Sequence, residues 1–194
     1  MTKGRLEAFS DGVIAVIITI MVLELKVPHS ADAAALAPLA VTFLTYVLSF
    51  VFTAIYWNNH HHLLHAVHHV TGATLWANMH LLFWLSLVPF TTGWMDENHF
   101  APITVAAYGL VLLFAGIAYF ILTRVLLATH GHDSLLAKAL GNDFKGKISV
   151  VFYVVGVMLA FVQTWVSLAI YVLVALMWLV PDRRFERLLA EHKT

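Results

Sequence analysis

The sequence predicts an all-α fold, namely a polytopic membrane protein with six transmembrane helices per subunit and both termini in the cytoplasm. Three observations lead to this prediction. The chain of 194 residues is 61% hydrophobic and only 11% charged, its apolar residues form six long runs, and its basic residues concentrate in alternate loops. A soluble domain is about 45–50% apolar and about 25% charged, so this chain has more apolar surface than a water-soluble core could bury. The length suits one domain, residues 1–194.

The six apolar runs supply the six helices. A helix that crosses the bilayer needs about 20 mainly apolar residues. Runs of roughly this kind occur at about residues 9–25, 38–57, 72–92, 102–127, 148–163 and 165–180. The last two meet at Gln163 and Thr164, which predicts a tight helical hairpin. Proline cannot continue a helix, so Pro181 ends the last span, and residues 182–194 are expected to form a cytoplasmic tail.

The basic residues give the orientation. Lysine and arginine concentrate in the cytoplasmic loops of membrane proteins. If the N-terminus is inside, Lys26 is the one basic residue outside, and the other ten lie on the cytoplasmic side. These ten are Lys3, Arg5, Arg124, Lys138, Lys145, Lys147, Arg183, Arg184, Arg187 and Lys193.

The first helix opens with polar residues, in the sequence R-L-E-A-F-S-D at residues 5–11. Polar groups within a membrane span are costly and are therefore candidates for function. Arg5 and Phe9 are four residues apart and share a helical face. Two interpretations are open. Either Ser10 or Asp11 caps the helix while Arg5 extends to the headgroups, or these residues belong to a buried polar network that fixes the helix against its neighbours.

A second cluster of polar residues is rich in histidine. It follows Trp57 and contains His60, His61, His62, His65, His68 and His69. In a continuing helix, His61, His65, His68 and His69 would share one face and could bind a transition metal, for which imidazole is a common ligand. The alternatives are a solvated helix end and a pH-sensing role. His60 differs, because it lies closest to the membrane, at a depth similar to those of Asp11 and Asn78.

Several functional classes lack support in this sequence. The 11 basic residues balance the 11 acidic ones, whereas a nucleic-acid partner would require a basic excess. There are no cysteines, which excludes thiol catalysis and thiolate metal sites. No enzyme motif is recognisable, and the T-V-G-Y-G filter of ordinary potassium channels is missing. We therefore expect neither an enzyme nor a resident cofactor.

The opening motif resembles the R-x-x-x-F-S-D signature of the transmembrane protein 175 family. Trp57 and His60 resemble that family's W-x-x-H at the end of helix 2, and Asn78 with residues 87–91 resembles its helix 3. The resemblance extends over essentially the whole chain. A single six-helix repeat is similar to the prokaryotic members, since animal members carry two repeats.

This resemblance implies a potassium-permeable cation channel in the plasma membrane of a prokaryote, assembled as a homotetramer. It further implies that the first helices line a hydrophobic constriction, with Val16 at the tightest ring and Thr19 and Leu23 as the next layers. Arg5, Phe9, Ser10, Asp11, His60 and Asn78 would then form the network that holds the pore helices. The alternative is a secondary transporter or a His-dependent metal carrier.

Overall fold

The chain folds into helices alone over the residues that the computed structural model describes, which are 2–131, 134, 136–137 and 144–179. Two short 3₁₀ helices, Val22–Glu24 and Ala33–Leu39, flank the first loop. The α-helices are α1 (Lys3–Met21), α2 (Ala40–His65), α3 (Gly72–Ser86), α4 (Val88–Glu97), α5 (Pro102–His130), α6 (Phe144–Leu159) and α7 (Thr164–Leu179).

These helices confirm the all-α, multi-pass prediction. Four helical segments are long and apolar enough to cross a bilayer, namely Lys3–Glu24, Ala33–His65, Gly72–Glu97 and Pro102–His130. The helices α6 and α7 have 16 residues each in the described part of the chain and form the expected hairpin. The predicted tail at residues 182–194 lies outside the described residues.

Two helices are longer than their apolar runs. The helix α1 begins at Lys3, six residues before the predicted start. Ser10 and Asp11 therefore lie inside it, and the interpretation of either residue as its cap is wrong. The helix α2 continues to His65, eight residues beyond the predicted end. Hydropathy marks only the part of a helix that lies in hydrocarbon. It therefore does not predict the polar ends of these two helices.

The third span is broken, where one helix was predicted. Pro89 lies in the first turn of α4 and cannot donate a backbone hydrogen bond. Threonine hydroxyls bond carbonyl groups at the break. The Oγ1 atom of Thr91 donates to the Leu87 carbonyl at 3.1 Å, and that of Thr92 donates to the Val88 carbonyl at 2.7 Å. Side chains of this type allow a break within a membrane span.

The helix α5 lies at the centre of the subunit. One core cluster joins it to α1, α2 and α3, and includes Ile14, Leu81 and Leu122. A second cluster joins it to α2, α4, α6 and α7, and includes Phe52, Met95 and Tyr171. The subunit is thus built in two halves that share α2 and α5, and α1 belongs to the first half.

Close approach of α5, α6 and α7 depends on two glycines. A Cβ atom at Gly109 would overlap the Tyr171 hydroxyl, and one at Gly156 would lie 2.5 Å from the Tyr171 ring. The Ser167 hydroxyl donates to the Gly156 carbonyl at 2.7 Å. The Tyr171 ring therefore fills the space that two missing side chains leave.

The two ends of the bundle differ in charge. At one end, Lys3 Nζ donates to the His65 carbonyl at 3.3 Å, joining the start of α1 to the end of α2. At the other end, Lys26 pairs with Glu97 at 3.1 Å. Of the basic residues in the described segments, only Lys26 lies at this second end. The others are Lys3, Arg5, Arg124, Lys145 and Lys147.

Candidate functional site: the face of α1 and the polar residues beside it

The helix α1 has one buried and one exposed face. Its buried face consists of Leu6, Ser10, Ile14, Ile17 and Met21. The exposed face continues at spacings of three and four residues through Arg5, Phe9, Gly12, Val16, Thr19 and Leu23. We call this second set the α1 stripe. Large apolar side chains in it are strongly exposed, with Val16 at 54% and Leu23 at 76%.

The three predicted pore residues all lie on the α1 stripe. Leu23 lies in the 3₁₀ turn after α1 rather than in the α-helix itself. The Thr19 hydroxyl donates to the Val16 carbonyl at 2.9 Å. At this point of the α1 stripe, the side chains of Val16 and Thr19 are exposed, and the Val16 carbonyl accepts the hydrogen bond from the Thr19 hydroxyl.

A chain of buried hydrogen bonds lies on the opposite side of α1. The Asn78 amide nitrogen donates to Ser10 Oγ at 2.9 Å, and Asn78 Oδ1 lies 2.7 Å from His60 Nε2. All three side chains are almost completely buried. This chain joins α1, α2 and α3, so three of the six predicted network residues come together directly.

Asp11 has a different partner. Its Oδ1 accepts a hydrogen bond from the Trp57 indole at 2.9 Å, which gives α1 and α2 a second polar link. Arg5 and Phe9 are exposed on the α1 stripe and lie away from the Ser10 side of the helix. Within one subunit, the structure therefore does not bring Arg5 and Phe9 into the buried chain of hydrogen bonds.

The predicted shared face of four histidines is wrong. The helix α2 ends at His65, so His68 and His69 lie beyond it. Their backbone amides donate instead to His130 Nε2, at 3.1 and 3.2 Å. Among the described residues, no group of three or more histidine, cysteine or acidic side chains could hold a metal ion.

Two residues of this region were missed from the sequence. The sequence motif does not predict that Trp57 bonds Asp11 or that His130 accepts from the backbone of His68 and His69. The signal for Trp57 was present, because Trp57 and Asp11 each lie near the polar end of an apolar run. His130 is 61 residues from His69, and no sequence pattern links the two.

Acidic residues lie at the end of the bundle where α1 finishes. The Glu24 carboxylate packs against Gly93 of α4. Nearby, Asp96 accepts a hydrogen bond from the Thr42 hydroxyl at 2.8 Å. Negative charge at this end would attract cations.

Comparison with known proteins identifies the family. The sequence model described as "Endosomal/lysosomal potassium channel TMEM175" matches residues 5–89. A potassium channel of Chryseobacterium sp. (strain P1-3) is 53% identical over 192 residues, which is 99% of this chain and 100% of that protein. The chain belongs to the TMEM175 family. This confirms the family predicted from the opening motif.

Another relative and a solved structure also match most of the chain. A potassium channel of Streptomyces collinus (strain DSM 40733 / Tue 365) is 32% identical over 188 residues, covering 90% of each chain. The crystal structure of a lysosomal potassium-selective channel TMEM175 homolog from Chamaesiphon minutus has a TM-score of 0.73 and 26% identity, and the match covers 92% of this chain and 96% of that one.

Proposed function

We propose that this TMEM175 protein is a potassium-permeable channel, and that the first helices of four identical subunits form its constriction. The observation that carries the proposal is the α1 stripe, an exposed face on a helix whose other face is buried. Its relatives are named potassium channels, and those names supply the expected ion. Resident cofactors are not required for this activity.

The composition of the stripe favours a partner over lipid. Gly12 has no atom within 4 Å of the position of a Cβ atom, so a neighbouring helix could approach closely there. Thr19 and Arg5 are polar, and lipid is a poor environment for polar groups. A symmetric ring of subunits would cover part of this face and leave the rest to line a central path.

Val16 is our candidate for the tightest ring. Four valine side chains offer no oxygen atom to replace the water around an ion, so a cation must pass partly hydrated or lose water at a cost. Potassium holds its water less tightly than sodium does, and a narrow apolar ring would therefore favour potassium. An apolar constriction can also close by dewetting.

The backbone of α1 suits a constriction made by side chains. The carbonyls of a continuous helix accept bonds from amides four residues later, and α1 is continuous from Lys3 to Met21. We accordingly propose that no carbonyl filter is used. We also place the protein in the plasma membrane of a prokaryote, with both termini in the cytoplasm.

Val16→Ala tests the proposal. The substitution should widen the ring and reduce the preference for potassium over sodium, with the flux itself retained. The measurement is ion flux into liposomes that contain the purified protein, under a potassium gradient and then a sodium gradient. Val151→Ala is the matched control, because Val151 on α6 is also 54% exposed and lies outside α1.

Passive potassium flux that loses selectivity only in Val16→Ala would support the proposed constriction. An unchanged selectivity in Val16→Ala would remove Val16 from the filter. Flux that saturates and needs a second, coupled ion would replace the channel with a secondary transporter.

A further inference from the structure

A cavity of about 380 Å³ lies in the second half of the subunit, between α2, α5, α6 and α7. Its wall includes Phe52, Ile117, Val150 and Tyr153, and no residue of α1 lines it. Cavities that hold small ligands are usually about 300–1,000 Å³ and mainly apolar. This one has the size and the character of a site for a hydrocarbon group.

Three polar side chains in its wall already have partners within the protein. The Asn59 amide donates to the Ile55 carbonyl at 2.9 Å, and the Tyr56 hydroxyl donates to the Leu112 carbonyl at 3.5 Å. The Ser149 hydroxyl donates to the Lys145 carbonyl at 2.7 Å. A polar ligand would find few groups in need of a hydrogen bond, so the interior favours an apolar occupant.

The cavity is basic where it reaches the end of the bundle. Lys147 lines it there and is exposed. Lys145 Nζ lies 6.0 Å from the centre of the Trp178 ring, and that ring also lines the cavity. The Trp178 indole donates to Ser149 Oγ at 2.9 Å, which fixes the ring in the wall of the cavity. Tryptophan is typical of the headgroup level of a membrane.

We propose that this cavity binds an anionic phospholipid, with one acyl chain inside and the phosphate at Lys147 and Lys145. An acyl chain gains little by leaving the bilayer for an equally apolar cavity. The charge of the headgroup must then decide which lipid is retained. Basic pockets between transmembrane helices bind anionic headgroups in this way.

Charge and shape favour this occupant over others. Asp and Glu are missing from the lining among the described residues, so a cation would have no carboxylate partner. The space lies between helices of one subunit, where a narrow chain fits better than the face of another subunit. The site is separate from the α1 stripe, so lipid binding can be tested independently of ion flux.

The experiment is native mass spectrometry of the purified full-length protein with added lipid. Phosphatidylglycerol and phosphatidylcholine with the same acyl chains are the two probes. We expect phosphatidylglycerol to bind more tightly, at one lipid per subunit. Replacing Lys145 and Lys147 by glutamine should weaken its binding by about thirtyfold, since each basic residue near an anionic surface contributes about 1 kcal/mol.

A second variant fills the cavity. Gly116 lies in its wall, and a Cβ there would be in ordinary contact with the Tyr56 hydroxyl at 3.6 Å. Gly116→Leu should therefore prevent binding of both lipids, whereas Gly116→Ala, its matched control, should bind as the wild type does. Lys26→Gln removes one charge at the opposite end and should also have no effect.

Three results would overturn the proposal. The first is equal binding of the two lipids by the wild type. The second is unchanged lipid binding by Gly116→Leu. The third is retention of a free fatty acid with the same lysine dependence but no retention of phosphatidylglycerol.

Discussion

Asn78 connects three helices with one small side chain. Its nitrogen is the donor to Ser10, so its oxygen is the atom that faces His60. An amide oxygen can only accept, and His60 Nε2 must therefore carry the hydrogen. The orientation of the amide and the tautomer of the histidine are thus linked.

Asn78→Ala should destabilise the folded subunit. It would leave the buried groups of Ser10 and His60 without their partner, and a buried unpaired polar group costs about 1–3 kcal/mol. The measurement is the thermal unfolding midpoint of the purified protein. Asn98→Ala is the control, because Asn98 is exposed and bonds only within its own turn. Equal midpoints for wild type and Asn78→Ala would contradict a stabilising role.

Two substitutions of Asp11 distinguish the effect of its negative charge from the effect of its hydrogen bond. Asp11→Ala removes the acceptor of the Trp57 bond and should reduce the yield of the proposed tetramer. Asp11→Asn keeps an acceptor oxygen and should assemble nearly as well as the wild type. Light scattering during size-exclusion chromatography measures the tetramer fraction. Equal damage from both substitutions would show that the negative charge itself is needed.

At the scale of the element, the sequence was sufficient for the type and order of the helices. Apolar runs are long, and only helices satisfy the backbone in lipid over such lengths. Their ends were predicted less well, because residues 3–8 and 58–65 are helical yet polar. Residues 72–92 were predicted as one helix, whereas Pro89 marks a break at Leu87.

The polar contacts were predictable only in part. Depth along the helices brought His60, Asn78 and the start of α1 to one level, and two hydrogen bonds now connect them. Depth does not give rotation about the helix axis. For that reason Arg5 and Phe9 were grouped with Ser10, although they lie on the exposed face of α1.

Gly109→Ala tests the contact of α5 with α7. The new methyl group would overlap the Tyr171 hydroxyl, and overpacking of this kind costs about 1–3 kcal/mol. We expect a lower thermal unfolding midpoint. Gly116→Ala, on the same helix, meets only ordinary contacts and should change stability by less than about 0.5 kcal/mol. A normal midpoint for Gly109→Ala would show that Tyr171 can move aside.

At the scale of the whole molecule, the structure separates the α1 stripe, which is the proposed ion path, from the apolar cavity. The α1 stripe lies on the first half of the subunit, and the apolar cavity lies in the second. The two halves share α2 and α5, and α4 also contacts both of them, through Val88 on the side of α1 and through Met95 in the second cluster. Four acidic residues, Glu24, Asp32, Asp96 and Glu97, lie at the end opposite most of the basic ones.

Glu24→Gln should lower inward potassium conductance at low salt by about twofold or more, because a negative charge at the mouth raises the local cation concentration. At high salt the effect should vanish, since the screening length falls from about 30 Å at 0.01 M to about 3 Å at 1 M. Single-channel recording measures this. Asp32→Asn, in the exposed loop before α2, should have a smaller effect. An equal effect of the two substitutions would show that Glu24 has no particular influence on the local cation concentration.

The contact of Tyr171 with two glycines has a consequence for how this sequence can change over generations. A larger residue at position 109 or 156 is obstructed while tyrosine occupies position 171, and a smaller residue at 171 leaves a void until a glycine is replaced. Each single step is therefore harmful although the combined change is tolerable. Descendant sequences should alter these three positions together, or keep all of them.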